Sequence, residues 1–352
     1  MMKARYVLEN ELLLGAERVD YFLDILRAIC GTQIIKRGEC GDNVTYTLNK
    51  NGVLTIIPQD ADAQIHFPGF TQEPMWDFEW DNKEQNYKMP WQNERDFVSH
   101  VEIQDGIATI GNGAFCNCRG LKSVHIPDSM IRIGVSAFAS TAVESIDIPN
   151  SVNRIEDFAF SGSALKNIII PNSVTEIGDY AFYCCKDLTN VYIPDGVTVI
   201  GDYTFFDCVR LSSINIPDSV TMIGDQAFVG CKSLTAINIP NKMTTIGPDA
   251  FWDCVGLTNV SIPDSVMSIG SGAFQCCTGL KSIRISNCVN VIGVATFSNC
   301  TGLTSVHIPD SVTKVYNAAF LGCSALVSVS VPAKAVISPY AFPDSVRIER
   351  RT

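Results

Sequence analysis

The sequence has little basic charge, few histidines and no long apolar run. Of its 352 residues, 26 are Lys or Arg and 37 are Asp or Glu, which gives a formal net charge of −11. A protein that binds nucleic acid needs a basic surface that neutralises phosphates, so nucleic acid is not an expected partner. No stretch approaches the ~20 apolar residues of a membrane-spanning helix, so membrane insertion is not expected either.

Motifs for catalysis are also missing. The sequence has no Gly-Lys-Ser/Thr phosphate loop, no Gly-x-Ser-x-Gly in a suitable context and no His-Glu-x-x-His pair. Its four histidines are His66, His100, His125 and His307. His125 and His307 occupy the same slot of a repeat eight units apart, roughly 40 Å at the spacing of stacked strands, so they cannot share a site. We therefore expect neither an enzyme nor a bound cofactor or metal.

An internal repeat dominates what is present. Phenylalanines recur at intervals of 22 or 23 residues, at Phe115, Phe138, Phe160, Phe182, Phe205, Phe228, Phe251, Phe274, Phe297, Phe320 and Phe342. Ile-Pro recurs in the same frame, for example at Pro194, Pro217 and Pro240. One unit of this length cannot bury its own apolar face, whereas stacked units can. The repeat therefore predicts a solenoid.

The unit from Leu234 to Gly256 indicates how a coil is built. Leu234, Ile237 and Ile239 follow the pattern L-x-x-I-x-I, which places apolar side chains on one side of a short strand. Pro240 ends the strand, and Phe251 packs inward from a later turn or 3₁₀ segment. A period of 20–29 residues with this pattern is typical of leucine-rich repeats. The sequence predicts a β-rich leucine-rich repeat solenoid of about eleven coils of 22–23 residues.

Three residues after the phenylalanine, most units carry a cysteine. The column consists of Cys118, Cys185, Cys208, Cys231, Cys254, Cys277, Cys300 and Cys323, with Thr141 and Ser163 in the two shorter units. We interpret it as a structural ladder of buried thiols, because Cys packs as a small apolar residue. Disulfides between neighbouring coils and a metal site are the alternatives; the metal reading lacks the paired Cys and His spacing of zinc sites.

Residues 1–96 do not follow the period. We divide the chain into a small α+β N-terminal cap at 1–96 and a solenoid at 97–352, whose last coil is altered. The cap has an amphipathic pattern at Ala16–Ile29 and a predicted hairpin at Val44–Leu48 and Val53–Ile57. Three tryptophans precede the repeats, and their expected role is to cover the first coil, with a ligand site as the alternative. They are Trp76, Trp80 and Trp91.

The repeated unit resembles the BspA-like leucine-rich repeats of bacterial surface proteins and some protozoan proteins. The segment Ile216-Pro-Asp-Ser-Val-Thr-Met-Ile-Gly-Asp-Gln-Ala-Phe228 carries the resemblance, which extends over residues 97–352. It implies a cell-surface or secreted protein that adheres to host or bacterial proteins, and it implies no catalytic residues. The N-terminus does not look like a signal peptide, because its apolar run Leu12–Leu14 is short and flanked by acids. A cytoplasmic scaffold or structural repeat protein is therefore the alternative.

Two columns of side chains are predicted to face outward. In each strand, the residue before the last apolar position is expected on the open side of the ladder. Our partner-binding hypothesis rests on Asp147, Ile169, Tyr192, Asn215 and Arg284, because exposed Tyr and apolar groups anchor interfaces; the alternative is a solvated sheet surface. A second column follows each core phenylalanine and is either an apolar stripe or a partly buried row. Its bulky members are Tyr183, Phe206, Val229, Trp252 and Leu321.

Overall fold

The structure, a computed structural model, describes residues 33–58, 73–83 and 86–351. The predicted helix at Ala16–Ile29, together with Cys30 and His66, lies outside the described residues. Within them, regular structure consists of short β-strands and one 3₁₀ helix, Gln92–Glu94. No helix in these ranges has the length and apolar character to cross a lipid bilayer.

The N-terminal region forms a mixed sheet. The predicted hairpin is confirmed: β2 pairs antiparallel with β3, and β1 pairs antiparallel with the other edge of β2. The strands of this region are β1 (Ile34–Gly41), β2 (Val44–Asn49), β3 (Val53–Pro58), β4 (Glu73–Pro74), β5 (Trp80–Asp81) and β6 (Asn86–Tyr87). The alternation of buried and half-buried residues along β2 and β3 matches the two-residue period of a strand.

The repeats form the predicted solenoid, in which most coils carry two short strands. The first ladder contains β7 (His100–Ile103), β9 (Ser123–His125), β12 (Asn167–Ile169), β14 (Asn190–Tyr192), β16 (Ser213–Asn215), β19 (Asn259–Ser261), β21 (Ser282–Arg284), β23 (Ser305–His307), β25 (Ser328–Pro332) and β27 (Arg347–Arg351). In the two coils between β9 and β12 and between β16 and β19, single bridges at Asp147 and Ala236 take the place of this strand.

The second ladder is made of two-residue strands after the first one, β8 (Ile107–Ile110). They are β10 (Arg132–Ile133), β11 (Arg154–Ile155), β13 (Glu176–Ile177), β15 (Val199–Ile200), β17 (Met222–Ile223), β18 (Thr245–Ile246), β20 (Ser268–Ile269), β22 (Val291–Ile292), β24 (Lys314–Val315) and β26 (Val336–Ile337). Both ladders are parallel, and equivalent residues of successive coils pair with each other. A slot in the repeat therefore becomes a column running along the solenoid.

The N-terminal sheet is continuous with the first ladder. β3 pairs parallel with β7, and β7 pairs parallel with β9. β3 therefore covers the edge that the first coil would otherwise expose. Trp91 is fully buried beside this junction: its ring stacks on Phe115 at 5.8 Å between centroids, and its indole N–H donates to the Ala114 carbonyl at 3.0 Å. Trp76 and Trp80 are exposed.

The repeat phenylalanines form one buried column. From Phe115 to Phe342, successive rings stack with centroid separations of 4.9–5.6 Å. Between them, backbone bonds link the coils: the N–H of Phe228 donates to the carbonyl of Ala250 at 2.8 Å. Each coil thus buries its apolar face against its neighbours, as the 22–23-residue period predicts.

The cysteines form a second buried column beside the rings. Seven thiols each donate to the carbonyl of the phenylalanine in the preceding coil, with S···O distances of 3.0–3.2 Å. In the two shorter coils, Thr141 donates to the Phe138 carbonyl, and the Ser163 hydroxyl contacts the Cys185 sulfur at 3.4 Å. The thiol is thus both packing atom and donor to a carbonyl within the buried core.

Tight turns carry the chain past the core phenylalanine. The residue two positions before it has a positive φ in every coil: Gly113, Ser136, Phe158, Tyr180, Tyr203, Gln226, Asp249, Gly272, Ala295, Ala318 and Tyr340. The coils also approach closely, and a Cβ on Gly247 would lie 2.6 Å from the carbonyl carbon of Gly224. The register of the coil, rather than the residue type, therefore dictates the backbone conformation at this position.

Candidate interaction surfaces

The predicted binding column lies along the open side of the first ladder. Asp147 bridges Ile169, Ile169 pairs with Tyr192, and Tyr192 pairs with Asn215. These four residues therefore occupy four successive coils at the ~4.8 Å spacing of paired strands. The structure brings them together in one line.

Ile169 and Tyr192 form the apolar centre of this line. The side chain of Ile169 is 78% exposed and that of Tyr192 is 43% exposed. The preceding residue of each strand, Ile168 or Val191, is buried on the opposite side, as the alternation of a strand requires. A large aliphatic side chain this exposed, next to an exposed tyrosine, is a suitable anchor for a partner.

Polar side chains beside this pair bond to one another. The Thr189 hydroxyl donates to Oδ1 of Asn167 at 2.9 Å, and Nδ2 of Asn190 donates to the same oxygen at 3.4 Å. Nδ2 of Asn190 also donates to the Thr189 hydroxyl at 3.1 Å. These bonds hold the neighbouring column in place, so the surface around Ile169 and Tyr192 is preorganised.

Arg284 lies apart from the other four predicted residues, three coils beyond Asn215. Its guanidinium makes two bonds of 2.9 Å to the carboxylate of Asp264 and one of 2.8 Å to the carbonyl of Ile262. The same carboxylate accepts the backbone N–H of Asn287, and these bonds hold the pKa of Asp264 below its ordinary value. The Arg284 guanidinium therefore contacts and stabilises the turn that follows β19 in the preceding coil.

The opposite end of the line carries a cluster of two histidines and a glutamate that the sequence analysis missed. Glu102 pairs with His125 in register, and its carboxylate lies 3.3 Å from Nε2 of His100 and 3.9 Å from Nε2 of His125. His307 is remote from this cluster and lies 3.4 Å from Arg351.

The column that follows each core phenylalanine is not a continuous apolar stripe. Tyr183 and Phe206 are half-buried and stack at 5.0 Å, Val229 is buried, and Trp252 and Leu321 are exposed. The alternative expectation, partial burial, holds for Tyr183 and Phe206. A neighbouring row, two residues before the core phenylalanine, was missed although it shares the same period: Phe158, Tyr180 and Tyr203.

The two shorter coils leave an open depression on the surface. Its floor contains Thr141 and Ser163, which are buried, and Arg119 and Lys186 lie on its rim. The Lys186 ammonium also lies 3.5 Å from the carboxylate of Asp207. The depression follows from the loss of one residue in each of two adjacent repeats.

Burial favours the protonated form of four thiols in the middle of the inner column, those of Cys185, Cys208, Cys231 and Cys254. Burial raises the pKa of Cys185 to about 12, and it raises the pKa of Cys208, Cys231 and Cys254 well above the ordinary value of 9.0. A nucleophilic or metal-binding cysteine needs the thiolate. These side chains are therefore suited to packing and to donating a hydrogen bond.

Comparison with solved structures finds similar leucine-rich repeat proteins, of which the first has the same fold. A leucine-rich repeat protein from Eubacterium ventriosum is 23% identical, and the match covers 89% of this chain and 93% of that one with a TM-score of 0.53. A leucine-rich cell surface protein from Faecalibacterium prausnitzii is 27% identical, with 88% and 93% coverage and a TM-score of 0.49. A leucine-rich repeat protein from Bacteroides ovatus is 25% identical, with 88% and 99% coverage and a TM-score of 0.44.

A search of curated proteins finds no match. The family described as the BspA type leucine-rich repeat region matches residues 93–212 and 198–327, which together span most of the chain. The stacked phenylalanines, the Ile-Pro turns and the two parallel ladders are the structural expression of that repeat. The chain belongs to the BspA-type leucine-rich repeat family.

Proposed function

We propose that the chain is a non-catalytic protein-binding module of the surface-adhesion type, which binds a protein partner through the open face of the first strand ladder. Membership of the BspA-type family supports this class of function. The binding centre is Ile169 with Tyr192, flanked by Asp147 and Asn215. The proposal includes display at the cell surface or secretion, because repeats of this type occur in bacterial surface proteins.

One observation carries the proposal: an aliphatic and an aromatic side chain are exposed in adjacent rungs of a ladder whose other residues in this column are polar or charged. Ile169 and Tyr192 pair in register, so a partner can bury both at once. A few well-buried anchors supply most of the binding energy of a typical interface, with polar groups at the rim. Asp147 and Asn215 have the rim position here. Arg284 lies about 14 Å beyond Asn215 at ~4.8 Å for each coil, within reach of a partner of ordinary size.

The test measures binding to purified extracellular-matrix, serum and bacterial-surface proteins on the immobilised full-length chain. For each protein that binds, Kd is compared between the wild type and a variant with Ile169→Ser and Tyr192→Ser. Serine occurs naturally at the equivalent positions Ser261 and Ser330, so the coil tolerates it. We expect the double substitution to weaken binding at least tenfold.

Asn238→Ser is the matched control, because Asn238 occupies the same column two coils beyond Tyr192. It should change Kd by less than twofold. Unchanged affinity of the double variant, with an unchanged circular dichroism spectrum, would exclude this face as the binding site. If no protein in the three groups binds the wild type, adhesion itself is rejected.

The location has its own test. Intact cells that express the chain are treated with protease, and the chain is then quantified with antibody. Loss of the chain from intact cells supports surface display. Full protection, with digestion only after lysis, supports the alternative of an intracellular scaffold.

A further inference from the structure

A second surface of the solenoid carries an unusual group of aromatic rings, which we call the aromatic patch: Phe158, Tyr180, Tyr183, Tyr203 and Phe206. One row stacks Phe158 on Tyr180 at 4.4 Å and Tyr180 on Tyr203 at 4.5 Å. The second row stacks Tyr183 on Phe206 at 5.0 Å. The rows contact each other at 5.7 Å, so the five rings form one continuous surface.

The fold does not require aromatic residues at these positions. Phe158, Tyr180 and Tyr203 have φ of 57°, 58° and 55°, a region that bulky residues rarely adopt. Apart from Tyr340, the other coils hold Gly, Ala, Ser, Gln or Asp in this slot with the same backbone, so smaller residues serve the turn. These rings also lie outside the buried phenylalanine column, and Phe158 is 37% exposed.

A row of four carboxylates runs directly beside the patch, and we call it the carboxylate row: Asp157, Asp179, Asp202 and Asp225. Asp157, Asp179 and Asp202 each directly precede an aromatic residue of the patch. Asp225 occupies the equivalent position in the next coil. Oδ1 of each of the first three accepts the backbone N–H of the next aspartate, at 2.9, 2.8 and 2.7 Å. The bonds fix the carboxylates one coil apart, and the other oxygen of each is left for a ligand.

No cation in the described part of the chain forms an ion pair with these four carboxylates. Nearby acids differ, because Asp187 pairs with Arg210 at 2.9 Å and Asp207 with Lys186 at 3.5 Å. Arg154, which precedes Asp157 by three residues, forms ion pairs with Glu156 and Glu176 instead. Burial and the charges of Asp157 and Asp202 raise the pKa of Asp179, although its hydrogen bond from Asp202 opposes that shift.

We propose that the aromatic patch and the carboxylate row together bind a cationic segment of a partner protein, rich in Arg or Lys. The hydroxyls of Tyr180 and Tyr203 can accept hydrogen bonds from guanidinium and ammonium groups, and the carboxylates complement their charge. Four like charges at ~4.8 Å spacing repel one another, and bound cations relieve this repulsion. In the described residues the carboxylates do not converge into a metal-binding group, which favours an extended cationic ligand over a single ion.

This surface is distinct from the face of the first ladder. The patch lies on the turns that follow the second ladder, whereas Ile169 and Tyr192 lie on strands of the first. The proposal therefore stands without the proposed function. Variants at the two surfaces can be tested separately in the same chain.

The test uses a fluorescent peptide of six Arg-Gly repeats, with a peptide of six Glu-Gly repeats as the negative probe. Fluorescence anisotropy gives Kd for the full-length chain at low salt. The charge variant is Asp179→Asn with Asp202→Asn, which keeps the Oδ1 acceptors and removes two charges. We expect it to weaken binding of the arginine peptide at least tenfold.

The control for net charge is Asp195→Asn with Asp218→Asn. These exposed aspartates follow the Ile-Pro turns of neighbouring coils, where Asn172 and Asn241 occur naturally. The control changes the net charge by the same amount, and we expect a change in Kd of less than twofold. Equal losses of affinity in both double variants would show that net charge alone accounts for the binding, and would overturn the proposal.

The aromatic contribution is tested with Tyr180→Asn, because Asn adopts positive φ more readily than Tyr does. Its control is Tyr340→Asn, in the same slot with φ of 58° and 75% exposure, in a coil without the carboxylate row. We expect a threefold or larger loss for Tyr180→Asn and none for Tyr340→Asn.

Three further outcomes overturn the proposal. The first is binding of the arginine peptide no tighter than of the glutamate peptide. The second is an affinity that both patch variants leave unchanged. The third is binding of a neutral saccharide, chitotetraose, that Tyr180→Asn abolishes and the charge variant leaves intact, which would assign the patch to a carbohydrate.

Discussion

Two stretches of the solenoid have the same interior and different exteriors. Between Asp157 and Phe206, the turn before the core phenylalanine carries aspartates and aromatic rings, whereas between Ser271 and Ala318 the same slots carry Ser, Gly, Val, Ala and Asn. The buried rings stack at similar distances in both stretches, 5.4 Å for Phe182 on Phe205 and 5.6 Å for Phe274 on Phe297. Packing therefore constrains the inner columns, and the outer columns are free to specialise.

The largest expected effect comes from breaking the inner column in the middle of the array. Phe228→Ala should destabilise the protein by about 3–5 kcal/mol, because the ring is fully buried between Phe205 and Phe251 and its loss leaves a cavity. Tyr180→Asn, on the exterior, should cost under ~1 kcal/mol. Urea denaturation followed by circular dichroism measures both, and similar losses would contradict the division into constrained and free columns.

A smaller effect is expected from the thiols at alkaline pH. Burial raises the pKa of Cys231 above the value of 9.0 that we assign to the unfolded chain. Both states are protonated below that value, so stability is complete there. As the pH rises further, only the unfolded thiol ionises, and unfolding is favoured by up to about 1.4 kcal/mol per pH unit for each thiol.

Cys231→Ser tests this dependence, because Ser163 occupies the same slot in another coil. The stability of the variant should decline less steeply than that of the wild type between pH 9 and pH 11, as measured by urea denaturation under reducing conditions. Identical slopes would show that the Cys231 thiol is accessible to ionisation in the folded state.

The smallest expected effect concerns the carboxyl group of Asp225, on the exterior of the solenoid. Burial and the charge of Asp202 raise the pKa of Asp225 above its ordinary value. The protonated form is therefore favoured in the folded state, so the associated stability is present at low pH and lost as the pH rises through the folded pKa. The next residue in that column is Pro248, which has no N–H to donate, so Asp225→Asn breaks no bond of the carboxylate row.

Asp225→Asn should raise the free energy of unfolding at pH 7 by about 0.5 kcal/mol or less, the range of exposed charge interactions. The gain should vanish at pH 3, where the wild-type carboxyl is protonated. Thermal unfolding at the two pH values measures the difference. A gain of equal size at both would assign the effect to something other than charge.

The repeat period was sufficient to predict the interior. The spacing of the phenylalanines, the Ile-Pro turns and the β2–β3 hairpin all follow from local patterns, since a side chain that recurs at one slot must meet its copy in the next coil. The line from Asp147 to Asn215 was also readable from the alternation of strand residues. The roles of single outward residues were harder to predict, as Arg284 and Glu102 illustrate.

The aromatic patch shows why. Its rings belong to two different columns, and their contact depends on the lateral distance between two turns within a coil. The positive φ of Phe158, Tyr180 and Tyr203 is equally invisible in the sequence, because Tyr and Phe do not indicate that conformation.

The recurrence of apolar residues every 22 or 23 positions is enough to imply coils stacked around columns of phenylalanine and cysteine, since only stacking can bury them. The tertiary structure decided which exterior columns meet, which charges find partners and which do not. Those outcomes depend on the lateral distance between turns and on the register between coils, which repeat spacing alone does not specify.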